Sequence, residues 1–93
     1  MIIKPNKIFL KQLNDIVEYI AKDSVNNALK FSNELFNKIE QIPYMPYSYH
    51  KNKKLNREDT RELIFKGYVV VFRIKQDNIA LLSIFKHNIT PFN

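Results

Sequence analysis

Residues 61–85 read Arg-Glu-Leu-Ile-Phe-Lys-Gly-Tyr-Val-Val-Val-Phe-Arg-Ile-Lys-Gln-Asp-Asn-Ile-Ala-Leu-Leu-Ser-Ile-Phe. Three β-branched and aromatic runs, 61–65, 68–74 and 79–85, are separated by two short polar breaks, which predicts three strands in an antiparallel meander. Gly67, the only glycine in the chain, stands at the first break, where a tight hairpin needs a residue tolerant of positive φ. Gln76-Asp77-Asn78 supplies the second turn. The run 68–74 is apolar at consecutive positions, the pattern of a central strand covered on more than one side. A layer from the rest of the chain is expected on one face and a partner on the other.

That layer is legible upstream. Phe9, Leu13, Ile16, Val17 and Ile20 recur at helical spacing and make one stripe of an amphipathic helix, which Asn6 is placed to cap and which should stop near Lys22. Asp23-Ser24 offers the next cap. A second helix carries Val25, Ala28, Leu29, Phe31, Leu35, Phe36, Ile39 and Ile42 and ends at Pro43. So short a link makes the two helices an antiparallel hairpin. Ile2-Ile3 before Lys4-Pro5 suits a short edge strand. Residues 43–59, with two prolines and three tyrosines at their start and a basic run after, are expected to form a long connecting loop, a feature that tends to mark function. The expected fold is therefore α+β in two layers, ordered β-α-α-β-β-β, in a single domain over residues 1–93.

Composition narrows the function classes. The chain has 45% apolar and 26% charged residues, no cysteine and a formal charge of +6. Disulfides and thiolate metal sites are thereby excluded. No phosphate-binding glycine loop and no metal-ligand spacing occurs, so no cofactor is expected. No segment has the apolar length of a membrane span or of a signal-peptide core, and a cytoplasmic location is expected. Lys, Asn and Ile make up 35 of the 93 residues, a bias that AT-rich coding DNA alone would produce. The placement of charge is more informative: residues 51–75 hold eight Lys or Arg against Glu58, Asp59 and Glu62.

From Arg61 to His87 the sequence resembles the RelE/ParE toxin family, whose later half runs as Arg-x-Leu, a turn, Tyr-Arg-Val-Val-Tyr-Arg-Ile, a turn, and a final strand ending in His. The matching pieces are Arg61-Glu62-Leu63, Tyr68-Val69-Val70-Val71-Phe72-Arg73-Ile74 and Ile84-Phe85-Lys86-His87. The first half is similar too, with Ala28-x-x-Phe31 on the second helix and its end at Ile42-Pro43. The resemblance implies a toxin neutralised by an antitoxin that wraps an extended or helical segment over it. It also implies one of two activities: RelE-type members cut messenger RNA on the ribosome, and ParE-type members bind and poison DNA gyrase.

The ribonuclease reading would assign Arg61 and Arg73 to the phosphate and His87 to acid or base work, since such cleavage needs a proton acceptor, a proton donor and cations for the charged phosphorane. The family's Tyr-Arg pair is Tyr68-Val69 here, no arginine follows the histidine in Asn88-Ile89-Thr90, and Phe92 stands in for a C-terminal tyrosine. This depleted set favours the gyrase-directed, non-enzymatic branch, with the ribonuclease and a non-toxic binding module as alternatives. Lys51, Lys53, Lys54 and Arg57, interleaved with Tyr44, Tyr47 and Tyr49, are the candidate surface for the target or for single-stranded nucleic acid, against a plain solvated face. Arg61 beside Glu58 and Glu62 equally fits surface ion pairing, His87 a strand-end cap, and His50 a solvated side chain. Tyr68, Val70, Phe72 and Leu81 are the candidates for binding an acidic, amphipathic antitoxin, through which any oligomer would assemble.

Overall fold

A computed structural model of the chain describes residues 2–87. The element order is β1 (Ile2–Pro5), α1 (Lys7–Asp23), α2 (Val25–Gln41), two 3₁₀ turns (Ile42–Tyr44 and Pro46–Ser48), β2 (His50–Lys51), β3 (Thr60–Phe65), β4 (Tyr68–Ile74) and β5 (Asn78–Lys86). The α+β arrangement expected from the sequence is the one observed, with the helical hairpin laid on one face of a single sheet.

Helix starts and stops follow capping chemistry. The Asn6 side chain accepts the Phe9 N–H at 2.7 Å. Ser24 serves both helices: its N–H donates to the Ile20 carbonyl at 3.0 Å and its hydroxyl oxygen accepts the Asn27 N–H at 3.1 Å. One residue therefore ends α1 and begins α2, which forces the tight reversal.

The sheet order is β1-β5-β4-β3-β2, antiparallel except that β1 lies parallel to β5. β1 takes the edge beside β5, at the opposite side of the sheet from β2. At the β3–β4 hairpin both turn residues have positive φ, Lys66 at 49° and Gly67 at 82°, the pairing a two-residue reversal requires. A register shift between Val71 and Phe72 leaves Leu82 of β5 without a partner.

Phe9 and Leu13 of α1 and Phe31, Leu35 and Ile39 of α2 pack on Leu63, Val70, Phe72, Leu81 and Ile84 of the sheet. Tilted and edge-to-face ring contacts reinforce one corner, where Phe31 meets Phe65 and Tyr68 with centroids 5.5 and 5.3 Å apart. Burying each large apolar side chain contributes about 1.5–3 kcal/mol, and side-chain alternation sends Ile64, Val69, Val71 and Phe85 to the other face.

The stretch expected as an irregular loop is more ordered than proline content implied. Pro43 and Pro46 sit at the starts of the two 3₁₀ turns, where a missing N–H costs nothing. His50–Lys51 adds a fifth strand by pairing with Glu62 and Arg61.

Candidate functional site

Paired residues align in one row across the sheet: Pro5, Leu81, Phe72, Arg61 and Lys51. The segment 42–49 crosses the helical face above this row. Tyr44 lines a groove with Pro5 and Leu81, Tyr49 stands edge-on to Phe72 at 5.4 Å, and the Tyr47 ring lies 5.3 Å from the Arg61 guanidinium. The segment is a crossbeam continuing the helical layer past the end of α2.

Arg61 fastens it. Its Nη1 donates to the carbonyls of Tyr47 and Tyr49, both at 3.1 Å, its Nε to the Glu58 carbonyl at 3.0 Å, and its Nη2 to the Glu58 carboxylate at 3.3 Å. Four of the five guanidinium N–H groups are thus engaged, and the side chain is only 12% exposed. Arg61 is a structural clamp with little left to offer a phosphate.

The three residues assigned to catalysis do not converge. Arg61 pairs with Phe72 and Arg73 with Thr60, so alternation points the two arginines to opposite faces. The Arg73 Nε donates to the hydroxyl oxygen of buried Thr60 at 3.2 Å. His87 lies beyond the other end of β4, where its N–H meets the Gly67 carbonyl at 2.7 Å. Five strand steps between Arg73 and Tyr68 put it on the order of 15 Å from either arginine.

The basic run divides by partner. Lys51 pairs with Glu58 at 2.6 Å, and Arg57 grips Asp59 through two bonds of 2.9 Å. That grip is the main cause of the Asp59 carboxyl being held down at about 2, with the Thr60 hydroxyl and nearby Arg73 helping. Glu58 is lowered too, chiefly by its bond to Lys51. Among the described residues Lys53 and Lys54 enter no ion pair. They stand on a tip built by Asn52, whose Oδ1 accepts the Leu55 N–H and whose Nδ2 donates to Glu62, both at 2.8 Å.

The residues expected to meet an antitoxin separate in the same way. Val70, Phe72 and Leu81 have no exposed surface, because they face the helices and form the core between the layers. Their apolar run reflects this chain's own packing and offers nothing to a partner. Tyr68 alone reaches the surface, in a groove between α1 and the end of β5 with Gln12, Ile16, Tyr19, Phe85 and Lys86. β1 pairs only with 78–81, so this stretch of β5 is an open edge, and the Gln12 Oε1 accepts the Ile84 N–H at 2.8 Å in place of a strand. The exposed, off-stripe Tyr19 was the available sequence signal for this groove. The role of Gln12 left none. Among the described residues no group of three or more potential metal-ligating His, Asp or Glu side chains comes together, and no helix is long and apolar enough to cross a membrane.

The family model described as ParE toxin of type II toxin-antitoxin system, parDE, matches residues 3–91. The chain belongs to the ParE toxin family. Its fold matches a solved structure, "Chromosomal ParDE TA system from P. aeruginosa", with a TM-score of 0.74 at 18% identity over 92% of this chain and 95% of that one. No curated protein sequence matches. The sequence resemblance to RelE/ParE toxins thus resolves to the ParE side, and the chain is the toxin domain of a type II toxin–antitoxin system.

Proposed function

We infer that this ParE-family toxin acts in the cytoplasm without chemistry of its own, by binding DNA gyrase and blocking its cycle, and that its cognate antitoxin silences it by occupying the groove between α1 and β5. The observation that carries the non-enzymatic reading is the dispersal of Arg61, Arg73 and His87 over two faces and two ends of the sheet. Phosphodiester cleavage needs its acid, base and charge-stabilising groups within hydrogen-bond reach of one phosphate. The choice of gyrase rests on the family. The groove fits an antitoxin segment for two local reasons: an open strand edge invites an added strand, and Lys86, whose ammonium lies 5.8 Å from the Tyr68 ring, favours an acidic one.

Inducible expression in bacteria tests this, with growth, message integrity and plasmid supercoiling followed together. Arrest with intact messages and gyrase-linked DNA damage is expected, and it should persist in an Arg73→Gln, His87→Gln variant that leaves the Arg61 clamp alone. Message cleavage abolished by that variant would restore the ribonuclease. Unimpeded growth would leave a non-toxic binding module.

A further inference from the structure

The outer side of the crossbeam is not needed for packing, yet it is aromatic. Tyr44 is 79% and Tyr47 58% exposed, although two 3₁₀ turns and the Arg61 clamp hold their backbone in place. Tyr49 is different, being turned inward against Phe72. From the crossbeam the chain runs through β2, at the sheet edge, into the tip carrying Lys53 and Lys54. All three acids of this region are engaged: Glu58 by Lys51 and Arg61, Asp59 by Arg57 and Thr60, and Glu62 by Asn52. Lys51, Lys53, Lys54, Arg57 and Arg61 outnumber these acids by two, and among the described residues the two tip lysines are the cations of this set that enter no ion pair.

We propose that this strip is a binding site for single-stranded nucleic acid, with bases stacked on Tyr44 and Tyr47 and phosphates held by Lys53 and Lys54. Exposed rings on a fixed backbone lose little conformational entropy on binding, and stacking on them tolerates any base because every base has a π-face. A duplex hides those faces. From β1 to β2 the row beneath the crossbeam spans four strand gaps, about 19 Å, room for a few unstacked nucleotides. Glu40, beside Tyr44 in its groove, repels phosphate there and sets the backbone toward the lysine end. The proposal goes beyond the reading above and does not depend on gyrase, because it concerns the isolated chain.

Fluorescence anisotropy with a labelled oligothymidylate and the full chain made by cell-free synthesis tests it, with circular dichroism checking that each variant folds. Binding at low salt is expected. Tyr47→Ala should weaken it roughly 5- to 150-fold, the loss of one stacked base, without altering its salt dependence, and Tyr47→Phe should keep it. The Lys53→Gln, Lys54→Gln variant should make the log–log salt slope shallower by about 1.4, since each phosphate contact on a single strand accounts for roughly 0.7. Absence of binding at low salt overturns the proposal. So does an equal loss in a charge-matched Lys7→Gln, Lys22→Gln variant of α1, which would mark generic attraction to a basic chain. Affinity unchanged by Tyr47→Ala together with displacement by oligoglutamate also overturns it, and points to an acidic protein partner.

Discussion

The guanidinium of Arg61 and the backbone of Tyr47 lie fourteen residues apart in sequence and are joined by a 3.1 Å hydrogen bond, with the same guanidinium set against the Tyr47 ring. This contact ties the crossbeam to the sheet and turns the longest connection in the chain into part of the helical layer. Arg61→Ala deletes four hydrogen bonds at once and leaves the Tyr49 carbonyl without its partner, so a loss of about 2–4 kcal/mol is expected in urea denaturation. Arg61→Lys should recover only a minor part, since an ammonium cannot reproduce the planar fork. Any loss of toxicity in Arg61→Ala should follow the loss of folded protein. Lost toxicity at full stability would show that the side chain meets the target directly.

Ser24 ends α1 through its backbone N–H and begins α2 through its hydroxyl, so a change of side chain removes only the second cap. Ser24→Ala should cost about 1 kcal/mol, the usual cost of losing one N-cap, while Ser24→Asp or Ser24→Asn should stay close to the parent. Chemical denaturation distinguishes these outcomes. A neutral Ser24→Ala would mean that the hydroxyl cap adds nothing to the helix reversal.

The helices were readable because their apolar spacing and caps are local: Asn6, Ser24 and the Phe9 to Ile20 stripe lie within one or two turns of what they control. β3, β4 and β5 were readable for the same reason. The parallel seat of β1 beside β5 was not, since Ile2-Ile3 fits any open edge and only the complete sheet shows which is free. β2 is two residues long, below what a pattern can signal. The candidate site was less legible than the fold. Identical apolar alternation marks residues facing the chain's own helices and residues facing a partner, and this is why Val70, Phe72 and Leu81 looked like a docking surface. Arg61 and Arg73 stand near each other in any listing of basic residues, but register puts them on opposite faces.

Asp59 gives the fold a defined acid sensitivity. Its carboxyl is held at about 2 in the folded chain, mainly by Arg57, against about 3.9 for an unperturbed aspartate. A depressed folded value means the contribution is fully present above the unfolded value and is lost as pH falls from near 4 through about 2. Glu58 and Glu34 are lowered as well, the latter chiefly by Lys66, and push in the same direction. Urea midpoints should therefore fall below pH 4. Asp59→Asn should lie below the parent at pH 6 and converge with it near pH 2. Parallel curves across this range would show that the pair with Arg57 has no thermodynamic effect.

Tyr19 provides the sharpest test of where the antitoxin sits, because it is 69% exposed and can be changed without disturbing the core. Tyr19→Glu places an acid in a groove whose nearby Lys86 suits an acidic segment, so it should weaken antitoxin binding by at least tenfold, the scale of an interface anchor, while leaving the urea midpoint within about 0.5 kcal/mol of the parent. Lys86→Glu should act in the same direction and mainly slow association, as loss of a steering charge does. In cells, both variants should arrest growth despite antitoxin supplied at a level that protects against the parent toxin. Surface plasmon resonance on the purified pair, which reads association and dissociation rates as well as affinity, separates the two effects. Unchanged affinity in both variants would move the antitoxin to the opposite sheet face, where Ile64 and Phe85 flank Val69.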